Sequence, residues 1–264
     1  AASDVYKRQL IETMILLFVN HQSLITTKAS RIVRAAQGRP VIEYGSRRAQ
    51  GGDGAVLGAR ASYIAGCCGT ACTMADRDYS VPVLGTMAHS WVQLFPTELE
   101  AFEAYAEAYP ENCVFLVDTY NTLKSGVPNA VKVFEKLAEK GYRPGGIRID
   151  SGDIAYLSKK ARKILDDAGF EDCKITVSNS LDEYIIRDLL MQGAEIDRFG
   201  VGERLITSKS EPVFGGVYKL VAVEENGEIL PKIKLSDNVT KITNPGYKKP
   251  CLLYTSDAAD EARS

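Results

Sequence analysis

The chain has little excess of either charge, with a formal net charge of −2 over 264 residues, and it holds only two histidines and one tryptophan. Without a basic stripe to neutralise a phosphate backbone, nucleic acid is not an expected partner. No apolar run approaches the roughly 20 residues that span a bilayer; the longest is Met14–Val19. That segment also lacks the basic flank and cleavage pattern of a signal peptide, so no membrane association is expected and the cytoplasm is the expected compartment. Cysteine is sparse, and six in a chain of this length do not make a secreted disulfide framework. Cys67-Cys68-x3-Cys72 has no second pair and too few histidines beside it for a four-ligand zinc site. Sitting among Ala, Gly and Ile in a helix-like run, these cysteines are expected to be small buried apolar residues, and no residue is assigned to a metal. A Walker A sequence is missing. Gly52-x-Gly54-x-x-x-Gly58 is one residue off the dinucleotide fingerprint and follows an Arg-Arg-Ala-Gln loop rather than a strand. No internal repeat or low-complexity tract is visible.

What is present is an alternation. Short runs rich in Val, Ile and Phe (Pro40–Tyr44, Val81–Leu84, Cys113–Val117, Gly146–Ile149, Lys174–Val177, Ile196–Val201 and Gly216–Val223) have the length of strands buried on both faces of a parallel sheet. Between them lie helical patterns at Ala55–Ala75, Glu98–Tyr109, Val127–Lys140, Ile154–Ala168 and Leu181–Met191. Thr97-x-x-Glu100 and Ser180-x-x-Glu183 read as capping boxes, while Gly141 and Gly169 stand where C-terminal stops belong. The fold class is therefore α/β, an open or barrel-closed parallel sheet.

Both ends break these patterns. Residues 1–9 and 251–264 are expected to be non-native tails. Residues 10–39 are expected to be a helical segment belonging to, or linking from, an N-terminal domain. Residues 40–223 would form the α/β barrel domain, and 224–250 the start of a C-terminal extension.

In such sheets ligands sit at the carboxyl ends of the strands. Those ends carry Glu43-Tyr44-Gly45-Ser46-Arg47-Arg48, Gly85-Thr86-Met87-Ala88-His89-Ser90, Asp118-Thr119-Tyr120, Arg148-Ile149-Asp150-Ser151-Gly152-Asp153, Ser178-Asn179-Ser180 and Gly200-Val201-Gly202. Loops are polar anyway, but ordinary loop polarity does not explain Arg, Asp and His directly abutting buried runs. The combination points to an anionic, phosphate-bearing ligand. Arg47, Arg48 and Arg148 offer planar forks for carboxylate or phosphate. Gly200 and Gly202 would let backbone N–H groups approach an anion, and Ser178–Ser180 would open a helix whose N-terminus favours negative charge. Asp118, Asp150 and Asp153 are candidates for sugar hydroxyls or magnesium, with Asp153 equally suited to capping a helix. His89, beside Ser90 at a strand end, suits nucleophilic or acid/base chemistry, though a lone histidine there is as often structural. His21 has no catalytic company.

Six motifs, in order, resemble the nicotinate phosphoribosyltransferases: Glu43-Tyr-Gly-Ser-Arg-Arg-Ala-Gln-Gly51, Gly85-Thr-Met-Ala-His-Ser90, Val117-Asp-Thr-Tyr120, Arg148-Ile-Asp-Ser-Gly-Asp153, Phe199-Gly-Val-Gly202 and Gly216-Val-Tyr-Lys-Leu220. The likeness runs from about Leu10 to Tyr247. It implies an irregular TIM-like (β/α) barrel with mostly parallel strands, truncated at both ends. It also implies an enzyme joining nicotinate to phosphoribosyl pyrophosphate, giving nicotinate mononucleotide and pyrophosphate for NAD synthesis. By that resemblance ATP, with Mg2+, is hydrolysed through a phosphohistidine at His89. Arg148 and Thr86 hold nicotinate, and Tyr44 stacks on its ring. Arg47 binds pyrophosphate, and Asp118 and Asp150 lie near the ribose hydroxyls. Gly200 and Gly202, with Ser180 beside them, receive the 5-phosphate, and the full-length protein is a homodimer. The match is imperfect: Glu203 stands where many members have Thr, and the family's N-terminal segment, which completes the nicotinate site across the dimer, is missing. Nicotinamide and quinolinate phosphoribosyltransferases share much of this pattern, and a non-catalytic ligand-binding barrel or an inactive fragment is the bland alternative.

Overall fold

A computed structural model describes residues 2–238, 242–243 and 245–246. The expected tail at 251–264, and Tyr247 at the edge of the family resemblance, lie outside the described residues. Leu17–Gly215 makes one compact unit and contains the whole parallel sheet. Its strands are β1 (Val41–Glu43), β2 (Gly69–Thr70), β3 (Val114–Leu116), β4 (Gly146–Ile149), β5 (Ile175–Val177) and β6 (Arg198–Val201). They are all parallel, in the order β2-β1-β6-β5-β4-β3. The sheet is curled, and β2 and β3 remain its two outer strands, so this is part of a TIM-like barrel rather than a closed one.

The helices are α1 (Ala2–Ala35), α2 (Gly52–Ile64), α3 (Thr73–Tyr79), α4 (His89–Gln93), α5 (Glu98–Ala108), α6 (Val127–Glu139), α7 (Ile154–Asp167), α8 (Glu183–Met191) and α9 (Glu203–Ile206). Their buried stripes follow from helical spacing. Ile25, Ala29, Ile32 and Ala36 are buried along α1 and its end, and Val127, Ala130, Val133, Phe134 and Leu137 along α6. Phe115 of β3 is fully buried between Phe102 and Phe134, with ring centroids 4.5 and 5.0 Å away. Such aromatic pairs add about 0.5–1.5 kcal/mol each beyond their burial. Thr97 caps α5 through Glu100 N–H and Asp153 caps α7 through Tyr156 N–H, while Gly141 and Gly169 take left-handed φ just past their helices.

The runs read as buried on both faces are not uniformly apolar inside. In β4, β5 and β6 the outward side chains Ile147, Ile149, Ile175, Val177, Phe199 and Val201 are fully buried under the helices. The alternate row, facing into the barrel, carries Arg148, Thr176, Arg198 and Gly200. Thr176 and Arg198 line a cavity of about 510 Å³ there, which also receives Ile42, Tyr44 and Val114. The barrel interior is therefore polar enough to take a ligand.

Three elements differ from the sequence reading. Ala55–Ala75 is not one helix: α2 stops at Ile64, a turn leads into β2, and α3 follows. Cys67 and Cys72 are buried as expected, but Cys68 is exposed and none of the three is helical. Val81–Leu84 contributes only a bridge of Val83 with Thr70, because Pro82 has no N–H to extend a ladder. Finally, Gly216–Val223 is not a seventh parallel strand. Residues 216–221 are irregular, and β7 (Ala222–Glu225) pairs antiparallel with β8 (Glu228–Pro231) outside the compact unit just described. Asn226 and Gly227, both at positive φ, make the tight turn between them.

Candidate active site

The strand ends place Arg148 at the centre of a hydrogen-bonded cluster. Its Nε donates to Ser178 Oγ at 2.7 Å, one terminal nitrogen to Thr86 Oγ1 at 3.0 Å, and the other to Asp150 Oδ1 at 2.8 Å. The guanidinium carbon also lies 5.3 Å from the centre of the Tyr44 ring, a cation–π distance. Three side chains, from the ends of β4 and β5 and from the loop after the Val83 bridge, and one aromatic face thus fix a single cation.

Tyr44 is seated by an absence. A Cβ on Gly200 would stand 2.4 and 2.5 Å from two carbons of the Tyr44 ring. Gly200 therefore makes room for the ring, a requirement for glycine that the sequence reading did not foresee, and it also lines the smaller of the two cavities described below. Burial pushes the Tyr44 phenol above its ordinary value.

Asp150 also accepts from the Ser178 hydroxyl, and its Oδ2 lies 3.6 Å from His89 Nε2. Burial alone would raise the Asp150 carboxyl, but the Ser178 hydroxyl, Arg148 and His89 outweigh it and hold it below the usual carboxylate value. Asp118, one strand over, accepts the Asp150 backbone N–H at 3.0 Å and the Ser151 hydroxyl through Oδ2, while its Oδ1 is buried with no hydrogen-bond partner. His89 is the first residue of α4, and its Nδ1 lies 3.1 Å from Thr119 Oγ1.

Two cavities share this cluster. One of about 440 Å³ is bordered by Thr86, His89 and Ser90; the other, about 110 Å³, by Arg48, Ser180, Gly202 and Arg204. Tyr44, Arg47, Arg148 and Asp150 line both. The smaller one is rich in cations. Arg204 is held by Asp182, whereas Arg47 makes no ion pair among the described residues. Glu203, exposed, pairs with Lys209 at 3.1 Å, and that pairing holds its carboxyl below the ordinary value.

Of the residues singled out at the strand ends, Tyr44, Arg47, Arg48, Thr86, His89, Arg148, Asp150, Ser180, Gly200 and Gly202 line these two cavities; Asp118 joins the cluster through Asp150 and Ser151, and Asp153 caps α7 instead. Ser180 does not cap a helix: Asn179 and Ser180 both take positive φ, and Asp182 caps α8 by accepting from Tyr184 and Ile185 N–H. The α8 N-terminus is thus already occupied by a carboxylate and is not an anion site. Other contacts at the site were not foreseen from the sequence. Ser178 joins Arg148 to Asp150, and Thr119 meets His89. Buried Glu43 accepts from Thr70 Oγ1 at 2.6 Å and from Gly45 N–H, bracing the loop that bears Tyr44 and Arg47. Burial raises the Glu43 carboxyl despite those two donors. Ser178, Thr119 and Glu43 lay in the strand-end motifs; Thr70 carried no signal at all.

Among the described residues no helix is long and apolar enough to cross a membrane. No family profile matches the chain. It is 51% identical over 247 residues to a nicotinate phosphoribosyltransferase of Bacillus subtilis, covering 94% of this chain and 50% of that protein. To one from Mycobacterium tuberculosis it is 43% identical, with 94% and 51% covered. The crystal structure of human nicotinic acid phosphoribosyltransferase superposes with a TM-score of 0.69 at 31% identity, over 74% of this chain and 50% of that one. The chain spans about half the length of the curated relatives it matches.

Proposed function

Because this chain belongs to the nicotinate phosphoribosyltransferase family, we propose that its protein makes nicotinate mononucleotide and pyrophosphate from nicotinate and phosphoribosyl pyrophosphate. The observation that carries this reading is the state of Arg148. A guanidinium has five N–H donors. Ser178, Thr86 and Asp150 engage one on each nitrogen, which leaves one on each terminal nitrogen for a nicotinate carboxylate. Tyr44, already in contact with that guanidinium, offers the flat apolar partner for a pyridine ring.

In this reading Arg47, which makes no ion pair among the described residues, faces the pyrophosphate, whose negative charge grows as the bond to the ribose breaks. The carboxylates of Asp118 and Asp150 stabilise the positive charge that develops on the ribose. Gly202, Ser180 and Arg204 border the smaller cavity, the place for the 5-phosphate. Magnesium ordinarily keeps several waters and uses one or two carboxylates plus substrate phosphates. That fits these residues: among those described no three His, Cys, Asp or Glu are grouped to hold an ion, and Asp118 has an unfilled acceptor. Bound with pyrophosphate, the ion would neutralise leaving-group charge. His89 is the residue that takes the phosphoryl group of ATP, ADP departing and water later releasing phosphate. A homodimer in the cytoplasm completes the reading.

The test is product formation from nicotinate and phosphoribosyl pyrophosphate, with and without ATP and with nicotinamide as competitor. It is run on this chain and on the protein restored to the length of its relatives. Synthesis from nicotinate that ATP stimulates and nicotinamide barely inhibits is expected; no product from nicotinate in either form sinks the proposal.

A further inference from the structure

His89 stands at the mouth of the larger cavity with its side chain 40% exposed, so packing does little to orient the imidazole. Its two nitrogens do that instead. On one side Asp150 Oδ2 lies 3.6 Å from Nε2, and on the other Thr119 Oγ1 lies 3.1 Å from Nδ1. Asp150 Oδ1 is already taken by Arg148 and Ser178, which leaves Oδ2 for the ring. We propose that Thr119 is a positioning residue for His89: its hydroxyl donates to Nδ1 and so holds the ring in the tautomer that carries its proton on Nε2, toward Asp150.

The assignment follows from which groups have protons to give. A carboxylate only accepts, so the nitrogen facing Asp150 is the one that gains by carrying hydrogen. Nδ1 is then left with its lone pair. The hydroxyl beside it can donate, and the stiff χ1 of a β-branched side chain keeps Oγ1 in reach of Nδ1. The two partners are also tied to each other. Thr119 follows Asp118 directly, and Asp118 accepts from the backbone N–H of Asp150 and the hydroxyl of Ser151. The loops after β3 and β4 are thus clamped together and present their hydroxyl and carboxylate at a fixed separation. The order hydroxyl, imidazole, carboxylate is the one that orients histidine in hydrolase triads; here the hydroxyl orients and does not react.

The experiment is long-range 1H–15N correlation spectroscopy on this chain at about pH 8, where an ordinary imidazole is neutral. With only two histidines in the sequence, His21→Gln assigns the second ring. The expected spectrum shows His89 Nδ1 as the pyridine-type and Nε2 as the pyrrole-type nitrogen. Thr119→Val should move both resonances toward the values of mixed tautomers, and Thr119→Ser should restore them. A wild-type ring protonated on Nδ1 overturns the proposal, and so does a Thr119→Val spectrum identical to wild type. Should Thr119→Val fail to fold, Thr119→Ala is the second variant, with the same shift expected; a spectrum identical to wild type again overturns the proposal. The role in turnover rests on the proposed function, and the tautomer does not. If ATP has no effect on the wild-type enzyme, that reading falls while the spectrum still tests Thr119.

Discussion

Arg148 and Asp150 stand two residues apart on the end of one strand, and a terminal nitrogen of the first donates to Oδ1 of the second at 2.8 Å. Residues at that spacing project from the same face of a strand, so the Arg-x-Asp pattern itself builds the ion pair. Ser178 then bridges both members from the next strand. The pair is partly shielded from solvent, and removing one member leaves the other with unmet bonds.

Arg148→Ala should therefore cost about 1.5–3 kcal/mol of stability, the range for hydrogen bonds to a charged group, while use of nicotinate falls far more steeply. Urea unfolding beside product formation from nicotinate checks this. A variant that is simply unfolded would return Arg148 to a structural role.

His89→Ala should lose the response to ATP while synthesis remains reduced but measurable. The comparison is the ratio of rates with and without ATP for wild type and variant. Loss of both in equal proportion would give His89 a different part in the reaction.

Gly200→Ala should destabilise by about 1–3 kcal/mol, because the new methyl must push the Tyr44 ring aside in a filled space. Gly85→Ala is the control: nothing lies within 4 Å of its added Cβ, and a change within about 0.5 kcal/mol is expected. Thermal melts of the two variants decide, and equal effects would refute the account of Gly200.

Asp150 should make stability fall in acid. Its folded carboxyl titrates below the ordinary value because the Ser178 hydroxyl, Arg148 and His89 together outweigh its burial. The stabilisation is thus present in full above the ordinary carboxylate range and is lost as pH falls through the lower, folded value. Unfolding free energies of wild type and Asp150→Asn, measured downward from neutral pH, should converge as the carboxylate protonates. Parallel curves would contradict this.

The sequence showed β1 and β3 to β6 because each is a Val-, Ile- or Phe-rich run bounded by turn residues, and the site's residues because they follow those runs. It hid β2, which is two residues long and begins with glycine, inside what read as one helix. It also misled at 216–223, where apolar composition outweighed a plainer sign. Asn226-Gly227 marks a tight hairpin, and that pair was there to be read. Ser180-x-x-Glu183 has the residue types and spacing of a capping box, but Asp182, closer to the helix, wins because its carboxylate receives two N–H groups. Contacts such as Thr70 with Glu43 or Thr119 with His89 join distant parts of the chain, and no local pattern announces them.

The wall of Tyr44, Arg47, Arg148 and Asp150 stands between two cavities and belongs to both. Whatever fills one side fixes the position of groups that the other side must use. Thermodynamic linkage then makes the effect mutual: if a first ligand tightens the second, the second tightens the first by the same factor. A ligand on one side that shifts these four side chains changes the affinity on the other, and removing the shared wall is the way to uncouple the two.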